Sequence, residues 1–443
     1  MRRLLFIFSF LSLLVVDGKA QEVETLTLED CLRIGIDNNL SLEGKRKEIQ
    51  KSKYSVSENR SKLLSQITAI AGYNNNFDPP VSVTDGSSYG VPYNITKTLQ
   101  HTANAGLEMQ MPLFNQTLYT SMSIAKVMEE ISRLSYGKAR EDIIMQISKM
   151  YYLGQVTAEQ IVLIKANITR LEELRDITQA FFDNGMSMEV DLKRVNINLE
   201  NLKVQYDNAQ AMMKQQLNML KYIMDYPAER EFVLTPVNTD SITTVALTGL
   251  SENIYELQLS QSQVQLAEKQ KKLISNGYIP SLSLTGSWRY AAYTDKGYHW
   301  FHSGPSNHWF CSYGLGLTLR IPIFDGLDKT YKIKKAMIDI ENSKLAWENA
   351  RKSLQTQYLN AVNDLMNNQR NFKKQKDNYL LAEDVYTVTS DRYREGIASM
   401  TEVLQDEMQM SEAQNNYISA HYNYRVTNLM LLKLTGQIES LVK

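Results

Sequence analysis

The sequence predicts a mainly α-helical protein with a β-barrel portion, assembled from two internal repeats. Three observations predict it. The chain repeats itself once, each repeat holds a proline-free helical stretch of nearly seventy residues, and four segments alternate apolar and polar residues.

Arg2 and Arg3 precede an apolar run from Leu4 to Val16 and a small-residue end at Gly18-Lys19-Ala20. That layout is a secretory signal peptide over 1–20, cut before Gln21. Taking Arg2, Arg3, Lys19 and Asp17 off the totals of 48 basic and 49 acidic residues leaves 45 and 48, a net charge of −3. There is no basic footprint for nucleic acid. Beyond the signal peptide no run of 18 apolar residues exists, so no membrane-spanning helix is expected. Cys31 and Cys311 are the two cysteines. The layout puts one on a helix and the other on a membrane strand, so no disulfide is expected.

The duplication rests on two landmark pairs. Gln110-Met111-Pro112-Leu113-Phe114-Asn115 is echoed by Arg320-Ile321-Pro322-Ile323-Phe324-Asp325, with the prolines 210 residues apart. Phe182-Asp183-Asn184-Gly185 with Asp191-Leu192 is echoed by Tyr393-Arg394-Glu395-Gly396 with Glu402-Val403, with the glycines 211 apart. Nearly equal offsets mean a duplication with hardly any insertion. The first repeat (21–235) reads as a helix over 40–64, strands at 66–78 and 101–112, a long helix at 116–183 and a return helix at 187–222. The second (236–443) reads as a helix at 250–276, strands at 281–293 and 309–322, a long helix at 326–394 and a return helix at 399–433.

A 68-residue helix is roughly 100 Å long, and the two shorter helices of the first repeat, stacked, reach about 90 Å. They can therefore lie beside the long one, giving a rod rather than a globule. Coiled-coil seams follow the same helices: Ile161, Ile164, Ile168 and Leu171 in the first, and Leu354, Tyr358, Ala361, Leu365, Asn368, Phe372, Gln375 and Tyr379 in the second. Asn368 and Gln375 at seam positions fit the wall of a hollow cylinder.

The strands carry the membrane reading. Ala103, Ala105, Leu107, Met109 and Met111 alternate with polar residues, as do Tyr313, Leu315, Leu317, Leu319 and Ile321; Ile67 to Tyr73 and Leu282 to Tyr290 behave alike. Each segment has the length of a tilted strand crossing an outer membrane, and aromatics collect near the ends. A transmembrane sheet must close on itself, and four strands cannot. Several chains must share one barrel; two would give eight strands and three would give twelve, and spacing does not choose. The tips at 78–98 and 294–308, rich in Pro, Gly, Asn and Ser, read as extracellular loops.

Leu26-Thr27-Leu28-Glu29-Asp30-Cys31-Leu32 with Asn38-Asn39, the Pro112–Asn115 and Pro322–Gly326 motifs, the Gly turns and Gly277–Leu284 together resemble the TolC-like outer-membrane efflux protein family. The resemblance covers the whole mature chain in order. It implies an α-helical barrel joined to a twelve-strand transmembrane β-barrel shared by a homotrimer, in contact with outer-membrane lipid. It further implies a tunnel in the periplasm and equatorial segments at 21–38, 225–250 and 435–443. The implied function is a passive exit duct for efflux or type I-like export, working with a periplasmic adaptor and an inner-membrane transporter, proton-driven or ATP-driven. Carried over by position, Tyr393 matches a gate tyrosine, Glu402 the first acidic ring, and Asp191 its first-repeat equivalent, with Asp406 one turn beyond Glu402. The family's second acidic position falls nearer Gln405 and its basic gate partner near Ala398, so this gate departs from the pattern. Gly185 and Gly396 correspond to the turns where adaptor tips dock, and Pro112, Phe114, Pro322 and Phe324 to the strand-to-helix junctions.

No catalytic motif, nucleotide loop or metal-ligand spacing is present, so neither enzyme activity nor a cofactor is expected. His299, His302 and His308 lie among Trp300, Phe301 and Trp309 in the second tip. An exposed aromatic loop near lipid headgroups accounts for them better than a metal site. The competing readings are a periplasmic adaptor, which would show one helical hairpin between halves of a lipoyl-like domain, and a coiled-coil structural protein of the envelope, which would lack the four strands.

Overall fold

Most boundaries in this protein follow from where backbone donors run out. The computed structural model describes residues 24–97, 99–236, 249–294 and 308–442. The signal peptide, residues 237–248 of the expected equatorial band, and His299 and His302 with their tip loop lie outside the described residues. In chain order the first elements are β1 (Glu24–Leu26), α1 (Leu28–Asn38), α2 (Leu40–Ser61), β2 (Gln66–Asn75), β3 (Val81–Asp85), β4 (Tyr93–Lys97) and β5 (His101–Phe114). Then come α3 (Gln116–Asp183), α4 (Glu189–Met224), β6 (Phe232–Leu234), α5 (Tyr255–Asn276), β7 (Ser281–Thr294), β8 (His308–Arg320), α6 (Asp328–Arg394) and α7 (Met400–Leu434). A 3-10 turn at Ile438–Val442 follows. No described helix is long and apolar enough to cross a membrane.

The described residues form two compact units, each drawing on both repeats. One holds the chain up to Leu40, Glu141–Gly249 and Tyr358 onward; the other holds Ser41–Arg140 and Leu250–Gln357.

The second of these units contains a four-stranded antiparallel sheet ordered β2-β5-β7-β8. Its register puts Ala69, Leu107, Trp288 and Tyr313 in one row on one face, and Thr68, Glu108, Ser287 and Gly314 in the next row on the other. Tyr313 and Leu315 are 86% and 80% exposed, so the apolar face has no protein cover in the chain. That is the lipid-out alternation of an outer-membrane strand.

The proline junctions differ between repeats. In β5 the strand continues through Pro112 to Phe114 by means of a register shift against β7, a bulge that absorbs the missing donor. In the second repeat the pairing stops at Ser281 opposite Arg320, between Pro280 and Pro322. Neither proline can extend the ladder, so β8 ends two residues before the expected 322 and Phe324 lies exposed outside any strand. The helices then start on side-chain caps. Asn115 Oδ1 accepts from the backbone of Thr117 (3.0 Å) and Leu118 (3.3 Å), and Asp325 accepts from that of Lys329 (3.2 Å). The tip at 78–98, expected as loop, contains the hairpin β3–β4, with Val83 opposite Ile95.

In the first unit α1 starts on a capping box between Thr27 and Asp30. Its Cys31, Leu32 and Ile36 are buried. A Cβ on Gly35 would sit 2.2 Å from Ile147 Cδ1, so a larger residue would require the Ile147 side chain to move. Parallel pairing of β1 with β6 closes the same region. Tyr151 donates to Leu26 O at 3.3 Å and Gln155 to Thr235 O at 2.6 Å. Burial pushes the Cys31 thiol up to about 12. Cys31 and Cys311 are both free thiols, the latter exposed on β8.

Candidate pore gate

The expected gate and docking residues fall at or just beyond two interhelical turns, both in the first unit, apart from the strand-to-helix residues Pro112, Phe114, Pro322 and Phe324 described above. Each long helix ends the same way. At the first turn Gly185 has φ 72°, Gly185 N donates to Phe182 O (2.9 Å) and Met186 N to Phe181 O (2.8 Å). At the second, Gly396 has φ 76°, Gly396 N donates to Tyr393 O (2.9 Å) and Ile397 N to Arg392 O (2.8 Å). These are Schellman closures with glycine in the left-handed region. A Cβ on either glycine would meet nothing within 4 Å, so the requirement for glycine is conformational.

The returning helices begin differently. Met188 caps α4 without a side-chain hydrogen bond. Ser399 caps α7 through a full capping box: Ser399 N donates to Glu402 Oε2 at 2.8 Å and Glu402 N to Ser399 Oγ at 3.3 Å. The Ser399 amide, followed by its hydroxyl, holds the Glu402 carboxyl below the usual carboxylate range. Glu402 is exposed and charged at neutral pH while anchored at one end.

Asp191 sits in the first turn of α4, its carboxylate 3.4 Å from Arg194 Nη1. The same nitrogen donates to Thr401 Oγ1 at 3.3 Å, so Arg194 ties the two turns together. A cleft of about 580 Å³ lies there, lined by Met186, Met188, Asp191, Arg194, Gly396 and Ser399 among others. Tyr393 is buried rather than free. Its hydroxyl donates to Thr178 Oγ1 at 3.3 Å, its ring is 5.7 Å from that of Phe181, and it belongs to a cluster with Leu171, Leu174, Val403 and Met410. Asp406 is half-buried on α7.

Sequence reasoning passed over the neighbouring stripe. Val403, Glu407, Met410, Gln414, Tyr417, His421 and Tyr424 are all buried. Their spacing alternates four and three, so every second seam position on α7 is polar; that heptad pattern was the available signal. Gln414 accepts from Asn167 Nδ2 at 2.7 Å. His421 accepts from Arg425 Nε at 3.2 Å, and its Nδ1 lies 3.4 Å from Glu159 Oε2, which has no other partner. Tyr417 donates to the other Glu159 oxygen at 2.9 Å. Glu407 is different: its Oε1 is buried with no partner, and burial pushes its pKa up to about 7. Arg170, paired to Glu383, also touches this seam through Met410 Sδ at 3.6 Å.

An open four-stranded sheet with an uncovered apolar face, in a chain whose long helices turn back at tight glycine turns, has the features of a channel subunit. The chain matches the outer membrane efflux protein family over residues 34–224 and 246–437. It belongs to that family and is an outer-membrane channel protein. It is 21% identical to the outer membrane protein TolC of Vibrio cholerae serotype O1 over 396 residues, 86% of this chain and 84% of that one. Against the probable efflux pump outer membrane protein TtgC of Pseudomonas putida it is 24% identical over 382 residues, 81% and 75% of the two chains. Its fold is similar to that of CusC (TM-score 0.77, 15% identity, 96% and 95% covered). It is also similar to that of the open state of the Neisseria gonorrhoeae MtrE outer membrane channel (TM-score 0.75, 18% identity, 92% and 88% covered).

Proposed function

We propose that this chain is one third of a homotrimeric, passive exit duct whose periplasmic end is closed by the Gly185 and Gly396 turns. The observation that carries the assembly is the open sheet. Among the described residues the outer strands β2 and β8 each pair on one side only, and in lipid an unpaired strand edge leaves backbone donors and acceptors unsatisfied. Copies of the chain satisfy both edges, and three copies supply twelve strands. In this reading Glu402, Asp406 and Asp191 line the narrow end, where acids from three chains crowd negative charge, attract cations and hinder anions. Tyr393 holds the closed packing through Thr178.

The turns also suit an adaptor. Met186 and Met188 are 67% and 69% exposed beside the charged Asp191 and Arg194, and methionine adapts readily to a partner surface. The chain would pass cargo received from an inner-membrane transporter through a periplasmic adaptor, residues 21–235 and 236–443 serving as equivalent halves. Pro112, Phe114, Pro322 and Phe324 would mark the passage from membrane to periplasm. The test is native mass spectrometry in mild detergent, combined with crosslinking of cells before purification. About three chains per particle and captured inner-membrane partners are expected; a stable, detergent-free monomer would contradict the assembly.

A further inference from the structure

The four membrane strands contain three residues of the Asp, Glu, Lys and Arg types: Glu108, Arg289 and, at the very end of β8, Arg320. Glu108 and Arg289 are mid-strand and meet. Arg289 Nη2 donates to Glu108 Oε1 at 2.8 Å. They are a diagonal cross-strand pair, since Glu108 lies opposite Ser287 and Arg289 opposite Gly106.

Both lie on the polar face, the side away from Leu107, Trp288 and Tyr313. Neither could face hydrocarbon at low cost, so this face is the interior of the closed barrel. Glycines clear the floor around the pair. A Cβ on Gly106 would lie 2.4 Å from Trp288 O and 2.9 Å from Arg289 Cα, so no side chain fits opposite the arginine. Gly314 and Gly316 stand opposite Ser287 and Thr285. The result is a cleft of about 580 Å³ whose walls include Thr68, Glu108, Gln110, Ser287 and Arg289. The Glu108 and Arg289 side chains are 48% and 43% exposed, and Arg289 Nε has no hydrogen-bond partner among the described residues.

We propose that Glu108 and Arg289 form a charge-balanced pair on the barrel's inner wall that sets how the outer-membrane segment discriminates anionic from cationic cargo. This rests on the reading of the sheet as part of a closed barrel. The ion pair keeps the wall locally neutral, so solutes of either sign pass. Losing one partner leaves the other as an uncompensated charge, repeated in every subunit, and the sign of the preference follows the charge that remains.

The experiment measures the cation-to-anion permeability ratio of the full-length channel in planar bilayers under a salt gradient. Glu108→Gln should shift the ratio toward anions and Arg289→Gln toward cations, each by a factor of about two at 0.1 M salt, where charges act over about 10 Å. Both shifts should shrink at 1 M salt, where that range falls to about 3 Å. The double variant should return to the parental ratio. Gln110→Glu, which adds an acid to the same face while keeping the pair, should shift the ratio toward cations even if a single-partner variant does not insert. Opposite shifts that cancel in the double variant support the proposal. Shifts of one sign, or a Gln110→Glu channel identical to the parent, overturn it. A parent that conducts while no variant moves means this face does not govern the path, whereas a parent that forms no pore would instead refute the barrel reading.

Discussion

At the first turn Gly185 ends α3 and Met188 opens α4; at the second, Gly396 ends α6 and Ser399 opens α7. The backbone closures match within a few degrees of φ and 0.1 Å in their hydrogen bonds. The side chains do not match. The buried seam of α4 runs through Val195, Leu199, Leu202 and Ala209 with one polar residue, Gln216, while the α7 seam places Glu407, Gln414 and His421 at alternate positions. A duplicated backbone has therefore been given unequal chemistry. Both return helices share one apolar cluster near the turns, and α7 adds polar contacts further along, Gln414 with Asn167 and Tyr417 with Glu159.

The largest way to sharpen this comparison is pH. Glu407 has its folded-state pKa raised from 4.5 to about 7 by burial. The protonated form is favoured in the fold, so its contribution is fully present below pH 4.5 and is lost as pH rises through about 7. A shift of that size corresponds to at most about 3 kcal/mol per chain at alkaline pH. Melting of the detergent-solubilised protein should occur at lower temperature at pH 8 than at pH 5, and Glu407→Gln should flatten the difference. An unchanged pH dependence in the variant would remove Glu407 from the account.

Next come the glycines. Gly185→Ala and Gly396→Ala each force a Cβ into left-handed backbone, costing about 1–2 kcal/mol. Their melting shifts should be equal, because the space around both is open. Clearly unequal shifts would break the claim that the two backbones are equivalent.

The caps should show the opposite pattern. Ser399→Ala loses the side-chain bond to the Glu402 amide and should destabilise α7 by about 1 kcal/mol, read as faster amide exchange at residues 400–403. Met188→Ser should slow exchange at the start of α4 by a smaller amount, since it supplies a cap where none exists. If Met188→Ser has no effect, the methionine is held by contacts outside the single chain, as adaptor docking would require.

Much of the architecture was legible because its signals are long-range in sequence and strong. The 210- and 211-residue offsets, the proline-free helices and the period-two strands all survive any local ambiguity. The uncovered apolar face follows from that alternation, whereas the order β2-β5-β7-β8 does not, because alternation assigns faces and not neighbours. Less was legible at the candidate gate. Tyr393 matches by position, yet only three dimensions bring Thr178 from the other repeat to its hydroxyl. Glu402 reads as a pore acid and as a capping residue at once, and Ser399-x-x-Glu402 is itself the capping signature. Glu407 escaped because an acid at a seam position resembles a solvated helix face until its neighbours are seen to bury it. The short hairpin β3–β4 was lost among turn residues, its strands being only five residues each.

The central claim is that the acidic turns of this outer-membrane channel close its periplasmic end. Single-channel recording of Tyr393→Phe and Glu402→Gln beside the parent tests it most directly. Tyr393→Phe removes a hydroxyl worth about 0.5–1.5 kcal/mol per chain from the closed packing and should raise the open fraction. Glu402→Gln keeps the capping geometry, since glutamine can fill the same role, and should weaken cation preference while changing the open fraction less. Two variants that both match the parent in conductance and ion selectivity would contradict the claim and return these residues to an ordinary helix surface.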